Sequence, residues 1–259
     1  MLRRAIQQIS VIIFSSLMIG VVVTAAYISS KESLVFPTEQ EINEITNIGK
    51  NLSFKEKKAI IKSRSSAVQV MSADLTDGGI SALSGTYLTY KDNYFILTAS
   101  HGVYDLCAFT QIAVDEKLYE CRAFVLRDPQ SDYIVIQVDE IIERTPVQIP
   151  RDIPQRGEWV RDLATQNAIY YTGYPNNGGP YTFAGRILAY SAADAVFIDS
   201  YGWSGSSGAG VFSASGNLIG WIMALEVGET YLGRQVLENF IWVIPLFKVD
   251  WPAVRAFAD

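Results

Sequence analysis

The pattern of apolar and polar positions changes character twice along the chain. Residues 9–28 form an almost unbroken apolar run without a single charge. A helix of about twenty such residues is roughly 30 Å long, the thickness of a bilayer core. Residues 31–64 are polar and helix-prone. Thr38 with Glu41, and Ser53 with Glu56, each place a hydroxyl three residues before a glutamate, the spacing of a capping box. The second frame predicts a short helix through Lys62. After Ser65 the texture becomes short β-type runs broken by Gly, Asp, Asn and Pro. Strands are expected over 67–72, 85–90, 94–98, 109–114, 118–126 and 133–138, then over 159–165, 168–174, 181–190, 195–199, 210–213, 218–225 and 240–247. A connection rich in Arg, Pro and Asp at 145–156 separates the two groups, and a short closing helix is expected over 249–257. Many short strands at this spacing predict an all-β sandwich or barrel architecture.

Three segments follow: an N-terminal membrane helix over 1–30, a helical spacer over 31–64, and a β domain over 65–259 that divides near 145–156. Arg3 and Arg4 precede the apolar run, so the remainder of the chain should lie outside the cytoplasm. The run exceeds the usual length of a signal-peptide core, which favours an uncleaved anchor. A cleaved signal peptide, with small residues near Val23-Thr24-Ala25 as the cut site, is the alternative and would leave a secreted domain.

Composition narrows the classes. Hydrophobic residues make up 49% and charged residues 19%, which excludes a disordered chain. The formal net charge is −6 with no basic stripe, so nucleic acid is not an expected partner. Cys107 and Cys121 are the only cysteines; they lack C-x-x-C spacing and are too few for a zinc site, so no metal is expected. Outside the cytoplasm they could pair as a disulfide, and otherwise they would be two buried thiols.

Three motifs carry candidate chemistry. The only histidine, His101, stands where a strand ends in Leu97-Thr98-Ala99-Ser100-His101-Gly102. Imidazole is the side chain suited to shuttling protons near neutral pH. Gly205-Ser206-Ser207-Gly208-Ala209-Gly210 surrounds a serine with glycines, which allow a tight turn that aims backbone N–H groups at a developing oxyanion. Asp132 opens the apolar run Tyr133-Ile134-Val135-Ile136, where a buried carboxylate could hold the other nitrogen of His101. Each motif alone has an unremarkable reading: a structural histidine, a flexible glycine turn, a loop aspartate.

Together, "TASHGV" at 98–103, "SDYIVIQV" at 131–138, "GSSGAGVF" at 205–212 and "GNLIGWI" at 216–222 resemble the trypsin/chymotrypsin superfamily of serine proteases. The order His, Asp, Ser matches. "GYPNNGG" at 173–179 resembles a loop of bacterial members, and the sequence looks nearest to the Deg/HtrA type, but without the PDZ domain usual there, which is not expected in a sequence read to Asp259. The resemblance implies two orthogonally packed six-stranded antiparallel β-barrels with the site between them. It implies a triad of His101 as general base, Asp132 as its orienting carboxylate and Ser207 as nucleophile. The N–H groups of Gly205 and Ser207 would form the oxyanion hole. An extended substrate would add along the strand at 221–225, so Met223, Ala224 and Leu225 join Tyr201 as candidate substrate-binding residues. Tyr201 stands where trypsin-like members carry a specificity aspartate, which points to an apolar or small side chain at the cleavage site. Ser206 stands where digestive members carry the aspartate of the zymogen switch, so activation by N-terminal cleavage is not expected. The expected function is a membrane-anchored serine endopeptidase acting on protein or peptide without a cofactor. The alternative is an inactive domain of the same fold that binds peptides or proteins.

Overall fold

A computed structural model describes residues 52–76, 78–149, 161–191, 195–230 and 233–259. The apolar run 9–28, the Thr38 frame and the connection from residue 150 onward lie outside the described residues. Among the described residues no helix is long and apolar enough to cross a membrane.

The Ser53 frame forms the expected cap. Helix α1 (Phe54–Ser66) starts with Glu56 N–H donating to Ser53 Oγ at 3.3 Å and Ser53 N–H donating to Glu56 Oε2 at 2.7 Å. The helix is docked on the C-terminal half of the domain by polar contacts. Ser63 Oγ donates to Thr172 Oγ1 at 2.9 Å, Lys62 Nζ to the Gly216 carbonyl at 2.9 Å, and Tyr170 Oη to Glu56 Oε1 at 2.8 Å. α1 thus packs as part of the folded body before it runs into the first strand.

Fourteen strands follow among the described residues. The N-terminal half holds β1 (Ala67–Ala73), β2 (Ile80–Tyr90), β3 (Asn93–Thr98), β4 (Thr110–Val114), β5 (Lys117–Glu120), β6 (Ala123–Asp128), β7 (Tyr133–Val138) and the short β8 (Val147–Gln148). They form an eight-stranded sheet in the order β5-β4-β1-β2-β3-β7-β6, with β8 parallel beside β2. This corrects the expected closed six-stranded barrel: the half is an open half-barrel. The single strand expected over 118–126 is two strands bent at Cys121 and Arg122. Cys121 N–H donates to the Thr110 carbonyl at 3.3 Å on one side, and Arg122 N–H to the Gln137 carbonyl at 2.8 Å on the other. The chain itself therefore turns the corner that a ladder would otherwise close. A disulfide, Cys107–Cys121, ties this corner to the segment before β4, which resolves the two readings of the cysteines.

The C-terminal half holds β9 (Ala168–Gly173), β10 (Tyr181–Tyr190), β11 (Val196–Asp199), β12 (Gly210–Ser213), β13 (Leu218–Thr230) and β14 (Gly233–Pro245). They close into a six-stranded barrel in the order β10-β11-β14-β13-β12-β9, as expected for this half. Helix α2 (Trp251–Ala258) ends the chain, capped by Asp250 Oδ1, which accepts from Ala253 N–H at 3.1 Å. Two expectations fail here. Residues 161–163 form a helical turn rather than a strand. The strands expected to end at 225 and begin at 240 extend to a long hairpin, whose outer residues are mostly exposed, Val227, Val236 and Leu237 included, and offer no alternating core face.

Side-chain alternation explains why β3 and β7 are nearly all apolar. Ile96, Ile134 and Ile136 point into the core of the N-terminal sheet with Val68, Val70 and Ile112. Phe95, Leu97, Tyr133 and Val135 point the other way, into a second core shared with Phe212 and Trp221 of the C-terminal barrel and Trp251 of α2. Strands buried on both faces read as continuous hydrophobic runs. A third core of Ile169, Tyr171, Val211, Ile222 and Val243 fills the barrel. The shared core sets the end of β3 and the start of β7 beside the start of β12.

Candidate active site

His101 sits in a 3₁₀ turn (Ser100–Gly102) just beyond the end of β3. Arg127, at the end of β6, braces this turn: Nε donates to Ser100 Oγ at 2.9 Å and Nη2 to the Val103 carbonyl at 2.6 Å. A lone arginine in a strand carries no sequence signal for that role.

Asp132 meets His101 at two atoms. Its Oδ2 lies 2.8 Å from His101 Nδ1, and its Oδ1 accepts the His101 backbone N–H at 2.9 Å. The Asp132 carbonyl is itself held, by Trp221 Nε1 at 3.2 Å and Ser100 N–H at 3.3 Å. Asp132 is buried and adopts φ +51°, a left-handed conformation that aspartate tolerates better than most residues. A carboxylate against Nδ1 keeps the proton on that nitrogen and leaves the Nε2 lone pair outward. Hydrogen bonding to Asp132 raises the imidazole above its ordinary value; burial opposes this and the carboxylate charge adds to it. Asp128, four residues upstream, instead folds back on its own loop, with Oδ1 accepting from Gln130 N–H at 2.8 Å and Ser131 N–H at 3.3 Å.

The turn before β12 carries Ser207, and its carbonyls are pinned one after another. Asn176 N–H donates to the Ser204 carbonyl at 2.7 Å, Ala209 N–H to the Ser206 carbonyl at 3.1 Å, and Ser84 N–H to the Ser207 carbonyl at 2.9 Å. Because a peptide unit is planar and trans, a fixed carbonyl aims the N–H on the same unit the opposite way. The units ending in Gly205 N–H and Ser207 N–H are fixed in this manner, and neither N–H has a hydrogen-bond partner among the described residues. Gly205 has φ +93°, and a Cβ there would stand 2.5 Å from the Tyr174 carbonyl. Gly208 has φ +85°, and its Cβ would stand 2.2 Å from both the Ser84 carbonyl and Thr98 Oγ1. Both positions demand glycine, which is the physical content of the motif.

His101, Ser207 and Gly205 line one cleft of about 440 Å³, together with Leu83, Tyr104 and Asn176. Within it Ser207 Oγ donates to the Met223 carbonyl at 3.1 Å rather than to His101. Beyond Ile222, which is bonded to Ala209 and Gly208, β13 has no strand on the edge opposite β14 among the described residues. Met223, Ala224 and Leu225 begin that open edge. Leu225 also fills the space beside Gly202, where a Cβ would stand 2.8 Å from Leu225 Cδ2.

Tyr201 is placed elsewhere. Its ring packs on Phe183 at 5.6 Å between centroids, its carbonyl accepts from Tyr171 Oη, and it lines a separate cavity of about 430 Å³ with Glu56, Arg186 and Asp199. Tyr201 is not among the residues that line the cleft shared by His101, Gly205 and Ser207. Among the described residues no group of three or more His, Cys, Asp or Glu could hold a metal ion.

Comparison with known proteins agrees with this fold. Two solved structures share it: a serine endoprotease from Yersinia pestis and a protease from M. tuberculosis in its active form. The first has a TM-score of 0.60 and 21% identity, covering 79% of this chain and 68% of that one. The second has a TM-score of 0.56 and 16% identity, covering 74% of this chain and 80% of that one. No curated protein matches the chain. Residues 83–220, which span the strand before His101 through the strand after Ser207, match the trypsin-like peptidase domain. The chain belongs to the trypsin-like peptidase family.

Proposed function

We propose that the chain is a serine endopeptidase with His101, Asp132 and Ser207 as its triad, held at a membrane by residues 9–28 with the peptidase domain outside the cytoplasm. The observation that carries the catalytic reading is the double contact of Asp132 with His101 on the cleft that also holds Ser207 and two unpartnered N–H groups. In this mechanism Ser207 Oγ turns from the Met223 carbonyl toward His101 Nε2. It loses its proton to that nitrogen as it bonds to the substrate carbonyl carbon. Negative charge gathers on the substrate oxygen, facing the N–H groups of Gly205 and Ser207. His101 then hands its proton to the leaving amine as the C–N bond breaks, leaving an ester on Ser207. Water, losing a proton to His101, cleaves that ester and restores the serine. The acyl side of the substrate would extend along the open edge at Met223–Leu225 as an added strand.

The extracytoplasmic placement rests on Arg3 and Arg4 ahead of the apolar run and on the Cys107–Cys121 disulfide, a bond that persists in oxidising compartments.

One observation favours a second reading. The resting Ser207 hydroxyl is bonded to Met223 and not to His101, as suits a domain that binds peptides on β13 without cutting them. A fluorophosphonate separates the two, because only a working triad activates the serine. Labelling of the wild-type chain, lost in Ser207→Ala, is expected. A chain that binds peptide but is neither labelled nor cleaves it would sink the peptidase reading.

A further inference from the structure

Ser84 lies on β2 of the N-terminal sheet, not on the turn that carries Ser207 and not on any motif. It is fully buried. Every polar group it owns is committed to the site. Its N–H donates to the Ser207 carbonyl at 2.9 Å, and its carbonyl accepts from Thr98 Oγ1 at 2.6 Å, on the strand that leads into His101. Its hydroxyl donates to the Gly205 carbonyl at 2.6 Å and accepts the Tyr174 N–H at 2.8 Å. The absent Cβ of Gly173 leaves room for this hydroxyl, since a Cβ there would stand 2.8 Å from Ser84 Oγ.

The Gly205–Ser206 peptide unit sits between the two units whose N–H groups face the cleft. It is held at one end by Ser206 N–H donating to the Trp203 carbonyl at 2.9 Å and at the other by the Ser84 hydroxyl alone. Without Ser84 Oγ, this middle unit is fixed from one end, and both the Gly205 carbonyl and the Tyr174 N–H become buried groups without a partner. A buried polar group in that state drives the backbone to find another arrangement. Rotation of the middle unit changes ψ of Gly205 and φ of Ser206, and so the relative aim of the flanking N–H groups. Glycine at position 205 offers little resistance to such a rotation.

We propose that Ser84 is a positioning residue for the oxyanion hole: its hydroxyl, supplied from the opposite half of the domain, sets the peptide unit between the two N–H donors. The inference rests on the serine-peptidase reading. It deepens that reading by naming a residue that touches neither substrate nor His101.

The test uses the full chain and a biotinylated fluorophosphonate, whose phosphoryl oxygen occupies the place of the oxyanion. The maximal inactivation rate and the half-saturating probe concentration are measured separately across pH. Loss of one direct oxyanion donor costs about 10²–10³ in rate, so an indirect support is expected to cost about 10–100-fold. Ser84→Ala should lower the maximal rate by that factor. The half-saturating concentration should stay within about threefold, and the pH midpoint should not move, because His101 and Asp132 are untouched. Ser84→Cys, nearly isosteric and a weak donor, should recover part of the rate and serves as the deciding variant if Ser84→Ala does not fold. A merely structural role would lower the thermal midpoint and leave the maximal rate alone. A folded Ser84→Ala within about threefold of the wild-type rate overturns the inference, as does a rate loss accompanied by a shifted pH midpoint, or a Ser84→Cys variant at the full wild-type rate. A wild-type chain that the probe leaves unmodified overturns the peptidase reading and this inference with it; the other outcomes overturn this inference alone.

Discussion

Asp132 holds His101 by side chain and backbone at once: Oδ2 at 2.8 Å from Nδ1 and Oδ1 at 2.9 Å from the backbone N–H. One carboxylate therefore sets both the proton position on the ring and the placement of the turn that carries it. The left-handed backbone at Asp132, φ +51°, makes this possible by curling the chain as β7 begins.

That geometry predicts a pH dependence. Hydrogen bonding to Asp132 raises the His101 imidazole, and the mechanism needs its neutral form. Activity should therefore fall as pH drops through a midpoint above the ordinary imidazole value of about 6.5. The stability the pair contributes runs oppositely. It is complete below the unfolded-state value and is lost as pH rises through the raised folded-state value. Asp132→Asn should move the activity midpoint down and cost on the order of 10⁴ in kcat, since an amide favours the wrong tautomer. Asparagine also tolerates a left-handed backbone, so the fold should survive. Asp128→Asn should cost far less, because Asp128 caps its own loop. pH–rate profiles of the three proteins check this, and an Asp128 effect larger than that of Asp132 would reverse the assignment.

The nucleophile should be Ser207 and not Ser204, although both stand in a Gly-x-Ser-Gly frame. Ser204 is exposed, and its carbonyl serves as an anchor for Asn176 N–H. Ser207→Ala should lose fluorophosphonate labelling and about 10⁴–10⁶ of kcat, whereas Ser204→Ala should keep most of both. Mass spectrometry of the labelled peptide locates the adduct, and an adduct on Ser204 would refute the assignment.

The disulfide should stabilise the half-barrel. Cys107 and Cys121 are separated by 14 residues. Closing a loop of that order constrains the unfolded chain by about 3 kcal/mol. The double variant Cys107→Ala/Cys121→Ala should lower the urea midpoint accordingly while leaving the His101 pH midpoint in place. An unchanged urea midpoint would show that β4, β5 and β6 hold the corner unaided.

Topology is open to a direct measurement. If residues 9–28 anchor the chain with Arg3 and Arg4 in the cytoplasm, alkaline phosphatase fused after Lys31 or at Asp259 should be active, since it needs an oxidising compartment. Inactive fusions at both points would contradict the proposed orientation.

Much of this was legible in the one-dimensional pattern because its causes are local. The Ser53–Glu56 cap is satisfied within four residues. The double-sided burial of β3 and β7 leaves its trace as unbroken apolar runs, and the glycines at 205 and 208 are demanded by a turn that only glycine can make. The order of the His, Asp and Ser motifs carried the family.

What only the tertiary structure decided depends on partners distant in the chain. Whether Cys107 and Cys121 pair rests on a corner built by β4, β5 and β6. Whether the N-terminal half closes as a barrel rests on where the chain bends at Cys121, and hydrophobic alternation does not register such a bend. The neighbours of Tyr201 are Phe183, against its ring, and Tyr171, on its carbonyl, 18 and 30 residues earlier in the chain. The role inferred for Ser84 arises from a hydroxyl meeting a carbonyl 121 residues away. A hydrogen bond of that kind selects no residue pattern around either end, so only the folded chain reveals it.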